Sequence, residues 1–208
     1  MNPRHVPSRQ RGLTLVELMI TIGVLAILTA IAMPNFRDFM RRNAVASHTN
    51  ELLGDMRFAR ETAASDGSVV SICASSTVTA AVPTCSASLA YTDGWLVYKA
   101  PSLATVFSVG TGFSLLRVGQ PMANASINSD TSPPISFDQR GAVPQGLVRF
   151  VVCAKGSGDT IGKSMPRSAG TRVDVQASGR AASTPLDTST SDSSAQSLCQ
   201  TPTVTPAP

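Results

Sequence analysis

Glu17 is the only charged residue between Leu13 and Met33, in the run LTLVELMITIGVLAILTAIAM. A carboxylate in an apolar segment is costly unless it meets a cation or hydrogen-bond donors, so it marks a place where charge pairing is the chemistry. Just ahead, a basic stretch with Arg9 and Arg11 ends at Gly12, and the apolar run begins at once. A second reactive set is the four cysteines Cys73, Cys85, Cys153 and Cys199, all beyond that run. The third is basic: Arg140, Arg149, Lys155, Lys163, Arg167, Arg172 and Arg180, accompanied in the same stretch only by Asp159 and Asp174. Of these, Lys155, Lys163, Arg167, Arg172 and Arg180 are spaced to form a patch that neutralises phosphates without reading bases. The loop Gly156–Gly162 between them is suited to wrapping a groove. The competing reading is that these are solvated or subunit-contact charges.

Catalysis and metal binding are not expected. The histidines are His5 and His48, no CxxC pair occurs, and neither a zinc site nor a nucleophile–histidine arrangement can be assembled from them. His48 is expected on the solvated side of a helix, near Arg41 and Glu51. Gly110-Thr111-Gly112 lacks the third glycine and following helix of a dinucleotide loop. Asn124-Ala125-Ser126 matches a glycosylation sequon too short to carry weight. No cofactor is called for, and with no aromatic residue after Phe150, base stacking is not expected.

The elements that must position these groups follow from the pattern. At 1.5 Å per residue, Leu13–Met33 makes a helix of roughly 31 Å, enough to cross a bilayer core. A cleaved secretory signal would be followed by a small-residue site, but the next residues are Pro34-Asn35-Phe36-Arg37. The basic leader orients the anchor so that everything after Met33 lies outside the cytoplasm. In that oxidising compartment an even number of cysteines reads as disulfides. Three pairings are open. The favoured one closes a short Cys73–Cys85 loop, for about 3 kcal/mol, and pins the tail through Cys153–Cys199. The formal charge of +4 is inflated by Arg4, Arg9 and Arg11. Without them the side-chain charge is about +1, so net charge does not argue for a polyanion partner.

Pro34 predicts a kink rather than a stop. Phe36, Phe39, Met40, Thr49, Leu52, Met56, Ala59 and Ala63 then form an apolar stripe at spacings of three and four. Arg37, Arg41, Arg42, Glu51, Asp55, Arg57, Arg60 and Glu61 fall on the opposite face, and Asp66-Gly67 ends the helix. Strands are expected at 69–73, 94–98, 113–118, 135–138, 148–153 and 171–175. The fold class is α+β, a long N-terminal helix packed on an antiparallel β-sheet head. The expected organisation is a basic leader at 1–12 and a transmembrane helix at 13–34, the helix that the resemblance carried by Arg11–Leu18 also implies is a filament core. An amphipathic continuation at 35–66, a head at 67–181 and a flexible Ser/Thr/Pro-rich tail at 182–208 complete it.

Arg11-Gly12-Leu13-Thr14-Leu15-Val16-Glu17-Leu18 resembles the class III signal of type IV pilins and type II secretion pseudopilins. The resemblance implies that a prepilin peptidase cuts between Gly12 and Leu13 and methylates the new amino terminus. It also implies that Glu17 neutralises the amino terminus of a neighbouring pilin or pseudopilin in a filament. Before assembly the chain would be a single-pass protein of the bacterial inner membrane with a periplasmic head. Four further segments are similar to the FimT/GspH family of minor pseudopilins: Met56–Ala63, Val70–Cys73, Asp93–Val97 and Phe137–Gly141. They span most of the chain to about Arg180.

That family implies one of two roles, a subunit that primes type IV pilus assembly or a minor pseudopilin of a type II secretion system. Some members of the first kind bind DNA for natural transformation through a Gly-Arg-x-Arg motif. The matching site here reads Gly179-Arg180-Ala181-Ala182, without the second arginine.

Overall fold

The structure is a computed structural model and describes residues 14–110 and 112–200. Gly12, Leu13 and the expected cleavage site lie outside the described residues. The chain divides into two compact units, 1–37 and 38–208.

In the first unit the described residues are helical from Leu15, the start of α1 (Leu15–Asp66). Helix α1 continues through Pro34, so the proline does not end it. The side chains of 15–33 for which exposure is described face outward, and this is the one stretch long and apolar enough to cross a membrane among the described residues. Its polar side chains are Glu17, Thr21 and Thr29. Thr21 Oγ1 donates to Leu18 O at 2.8 Å, and Thr29 Oγ1 donates to Leu25 O and Ala26 O, each at 2.9 Å. Both hydroxyls therefore return their donors to their own helix, the arrangement a hydrocarbon environment demands.

In the second unit α1 runs to Asp66 and is stopped by Gly67, whose φ of 59° most side chains avoid. Among the described residues eight strands follow: β1 (Val69–Ala74), β2 (Trp95–Ala100), β3 (Ser114–Gly119), β4 (Ala125–Ser129), β5 (Ile135–Phe137), β6 (Val148–Ala154), β7 (Thr171–Val175) and β8 (Ala181–Pro185). A short helix α2 (Asp192–Ser197) comes last. Instead of the single expected sheet there are two four-stranded sheets, ordered β3-β2-β1-β5 and β4-β6-β7-β8, with antiparallel pairing throughout.

One core joins them. Val45, Leu52, Leu53, Met56, Ala59 and Ala63 of α1 are buried with Val70, Ile72, Trp95 and Val97 of the first sheet and Ile127, Phe150, Val152, Val173 and Val175 of the second. Alternation along β1 and β2 sends Cys73, Leu96 and Tyr98 to the other face, where Phe107 and Phe113 cover them. Phe36, Phe39 and Met40, expected in the buried stripe, are exposed.

Asp55 reverses an expectation. Placed by the sequence on the solvated face, it is 7% exposed. Its Oδ2 accepts from Trp95 Nε1 at 2.8 Å, and its Oδ1 accepts from Arg117 Nη1 at 3.0 Å. The Arg117 guanidinium lies 3.7 Å above the Phe58 ring. Both partners come from the first sheet, and the buried indole N–H needs an acceptor, which this carboxylate supplies.

The tail is a second correction. Residues 182–200 are built into the head: β8 extends the second sheet and α2 buries Ala195. The bridges are Cys73–Cys85 and Cys153–Cys199, with Cα–Cα distances of 5.6 and 6.0 Å. A strand of Ala, Ser, Thr and Pro has no apolar signal, and β7 supplies its ladder instead.

At the end of α1, Lys99 Nζ donates to Asp66 Oδ2 at 2.5 Å, and Ser65 Oγ donates to Oδ1 at 3.1 Å. The Lys99 hydrogen bond, then that of Ser65 and the Lys99 charge, hold the Asp66 carboxyl below its ordinary value of 3.8. A depressed carboxyl stabilises the fold at neutral pH and loses that contribution as pH falls through its folded value. Carboxyl NMR should show Asp66 titrating below 3.8, with Lys99→Met moving the midpoint upward. An unmoved midpoint would remove Lys99 as the cause.

Candidate assembly and anion-binding sites

Thr14 sits immediately before α1. Its Oγ1 accepts from Glu17 N at 3.2 Å, and its carbonyl accepts from Leu18 N at 3.1 Å. Thr14 is thus the N-cap and Glu17 occupies the third helical position, a spacing that satisfies otherwise orphaned amide groups. The positive end of the helix dipole favours an anion there. Glu17 is exposed, and no described cation pairs with it. Its chemical capacity is to accept a cation.

Most residues of the expected phosphate patch have carboxylate neighbours. Lys163 Nζ meets Asp192 Oδ2 at 3.2 Å, Arg172 Nε meets Asp174 Oδ2 at 3.2 Å, and Arg167 Nη1 lies 4.0 Å from Asp38 Oδ2. Arg149 is likewise held by Asp130 at 3.4 Å. Lys155 is half-buried, and its backbone N–H donates to Asn124 O at 2.9 Å. The Gly156–Gly162 loop folds on itself through Gly156 N to Asp159 Oδ2 at 3.2 Å, and Gly162 N donates to Ser126 Oγ at 2.9 Å. It borders a pocket of about 220 Å³ in which Arg41 and Lys163 are balanced by Asp159 and Asp192. Three of the five cations therefore stand near carboxylates, which offsets part of their charge.

Arg180 is different. It leaves the β7–β8 hairpin, closed by Gly179 N to Gln176 O at 2.7 Å and Gln176 N to Arg180 O at 2.9 Å. Gly179 has φ 77°, and a Cβ there would collide with the Gly141 carbonyl oxygen and lie 3.1 Å from Arg60 Cδ. Glycine lets the hairpin tip settle against the 138–141 turn and α1. The result is a groove of about 490 Å³ lined by Arg57, Arg60, Glu61, Gly179, Arg180 and Ala181–Ser183. Three guanidinium groups and one carboxylate border it. Arg57 and Arg60 were read from the sequence as a solvated face; their three-residue spacing was visible, but the hairpin that meets them was not.

His48 bonds Glu51 Oε2 at 3.3 Å and Asn124 Oδ1 at 3.2 Å, so it is half-buried rather than free on the solvated face. Neither partner is a serine or a cysteine.

Residues 48–179 match the sequence pattern of the family described as type II transport protein GspH, and residues 7–33 match the prokaryotic N-terminal methylation motif. The type IV major fimbrial protein FimA of Dichelobacter nodosus is 41% identical over 66 residues, 32% of this chain and 42% of that protein. The prepilin peptidase-dependent protein D of Escherichia coli (strain K12) is 47% identical over 38 residues, 18% of this chain and 26% of the other. The chain thus spans about two fifths or less of these curated relatives. The crystal structure of the type IV minor pilin FimU of Pseudomonas aeruginosa (strain PAO1) is 20% identical, with 69% of this chain and 90% of that one covered and a TM-score of 0.46.

Proposed function

We propose, from the premise that this chain belongs to the family of type II transport protein GspH, that it is a minor subunit priming the assembly of a type IV pilus. Its chemistry is association rather than turnover. A prepilin peptidase removes residues 1–12 and methylates Leu13, a reading supported by the methylation motif over 7–33. The helix from Leu13 then holds the chain in the inner membrane, with the head periplasmic, until it joins other pilins in the filament.

The observation that carries this reading is Glu17. It is the one polar side chain of 15–33 whose capacity is not returned to its own helix. In a low-dielectric surrounding an unpaired carboxylate is costly, and a neighbour's amino terminus relieves that cost at one register only. The test is Glu17→Val. Leader removal should proceed normally, while the amount of this subunit in sheared filaments should fall by roughly tenfold or more, as loss of a buried charge pair requires. Undiminished incorporation would sink the charge role. The same family supports a type II secretion pseudopilus; co-purification with secretion components rather than pilins would select it.

A DNA-binding reading is favoured by one feature, the groove of Arg57, Arg60 and Arg180. Anisotropy of labelled duplex DNA with the head, across a salt series, tests it. Replacing those three arginines by alanine should make the salt dependence shallower by about two to three log units per log unit of salt. Replacing Lys163, Arg167 and Arg172, which already face carboxylates, should change it little. The opposite ranking would return the site to the patch first read from the sequence, and no binding at low salt would leave an assembly subunit alone.

A further inference from the structure

Residues 181–200 return along the second sheet and bury little apolar surface. Ala195 and Cys199 are buried there, but most of β8 is exposed. The segment is held by polar contacts: the β7–β8 ladder, Leu186 N to Gly170 O at 2.9 Å, Ser164 Oγ to Asp187 O at 2.7 Å, and Asn128 Nδ2 to Cys199 O at 2.7 Å. Such bonds replace bonds to water and contribute little net stability, whereas ordering the segment costs much conformational entropy. The remaining tie is covalent, Cys153–Cys199, with both residues fully buried. The other bridge differs, because Cys85 is only half-buried.

We propose that residues 181–200 form a strap that oxidation closes once. While Cys153 and Cys199 are thiols the strap is open and both are reachable. The thiolate of one attacks a disulfide oxidant, either a protein or a small-molecule disulfide, and one half of the oxidant leaves as a thiol. The thiolate of the other then displaces the second half. One S–S bond forms in the protein, and the two electrons and two protons it gives up leave with the oxidant as two thiols. Closure buries both sulfurs, so a reducing thiol must wait for the strap to open. Cys85 can be attacked in the folded state. The closed strap also covers the edge of β7, and Ala181–Ser183 complete one wall of the arginine groove. This holds whether or not that groove takes a polyanion.

Two measurements on the full chain in detergent decide it. Under mild dithiothreitol without denaturant, followed by alkylation and peptide mapping, Cys73 and Cys85 should label first. Cys153 and Cys199 should lag by roughly tenfold or more, because their reduction waits on local opening. Equal rates, or the reverse order, would overturn the proposal. In a Cys153→Ser/Cys199→Ser variant, amide exchange should rise across 181–200 and in β7 while β1 and β2 keep their protection. Unchanged protection of 181–200 would show that the strap closes without its bridge. Loss of protection in β1 and β2 as well would make the segment part of the cooperative core. Either result overturns the latch.

Discussion

Asp55→Ala should lower the unfolding free energy of the head by about 3 kcal/mol, a shift of about 6–12 °C in Tm for a domain of this size. The carboxylate is buried and accepts from the Trp95 indole N–H at 2.8 Å. Removing it leaves that N–H in an apolar core with no water to turn to, and the cost of an orphaned buried donor is the larger part of the effect. The Arg117 contact adds less. Its side chain is 47% exposed, so solvent screens the pair and can rehydrate the guanidinium. Arg117→Ala should therefore cost about 1 kcal/mol, through the lost ion pair and the lost contact with the Phe58 ring. Asp55→Asn keeps an acceptor for the indole and should fall between the two. Urea denaturation of the head checks the ranking. An Asp55→Ala head as stable as the parent would mean that the indole finds another acceptor.

Gly12→Glu should leave the leader on the chain. On the processing proposed above, a prepilin peptidase brings the Gly12–Leu13 peptide bond into its site with a leader-side residue that lacks a Cβ. An added side chain, here also charged, meets that site at the reacting bond. Exclusion of even small extra groups slows cleavage by roughly 10–200-fold, and a desolvated carboxylate adds to it. Intact-mass analysis of the membrane fraction reads the outcome directly, as the full mass in place of the shortened, methylated form. A normally processed product would remove the basis for reading Gly12 as the cleavage position. Because the Gly12 change acts at processing and Glu17→Val acts later, at incorporation, the two variants separate a failure of processing from a failure of packing.

How far the sequence could be read depended on where each signal was stored. The anchor was legible because a long apolar run with a single carboxylate is dense in composition, and the family's segments follow it in order. Strands β1, β2 and β6 carried their own apolar residues. Strand β4 did not: its Ser126 and Asn128 are buried because Gly162 N and Cys199 O happen to be their partners. That satisfaction is tertiary and leaves no trace in local hydrophobicity. β8 was hidden for the same reason, since its register comes from β7. The error at Asp55 arose because periodicity assigns polar residues to the outside by default. Only Trp95, forty positions away, reverses it. The neighbours of the basic patch were hidden in the converse way, because a run of cations says nothing about carboxylates such as Asp38 or Asp192 that the fold brings to them.

The two threonines of the apolar stretch bear on how such a subunit can travel. Because Thr21 and Thr29 donate to their own backbone, that surface asks the same of lipid tails as of neighbouring helices, namely contact and nothing else. On the assembly role proposed above, Glu17 is the one polar side chain of 15–33 that must change partner between bilayer and polymer. A subunit built this way would be close to indifferent to which apolar surroundings it occupies, and the direction of traffic would rest on that one carboxylate finding its cation.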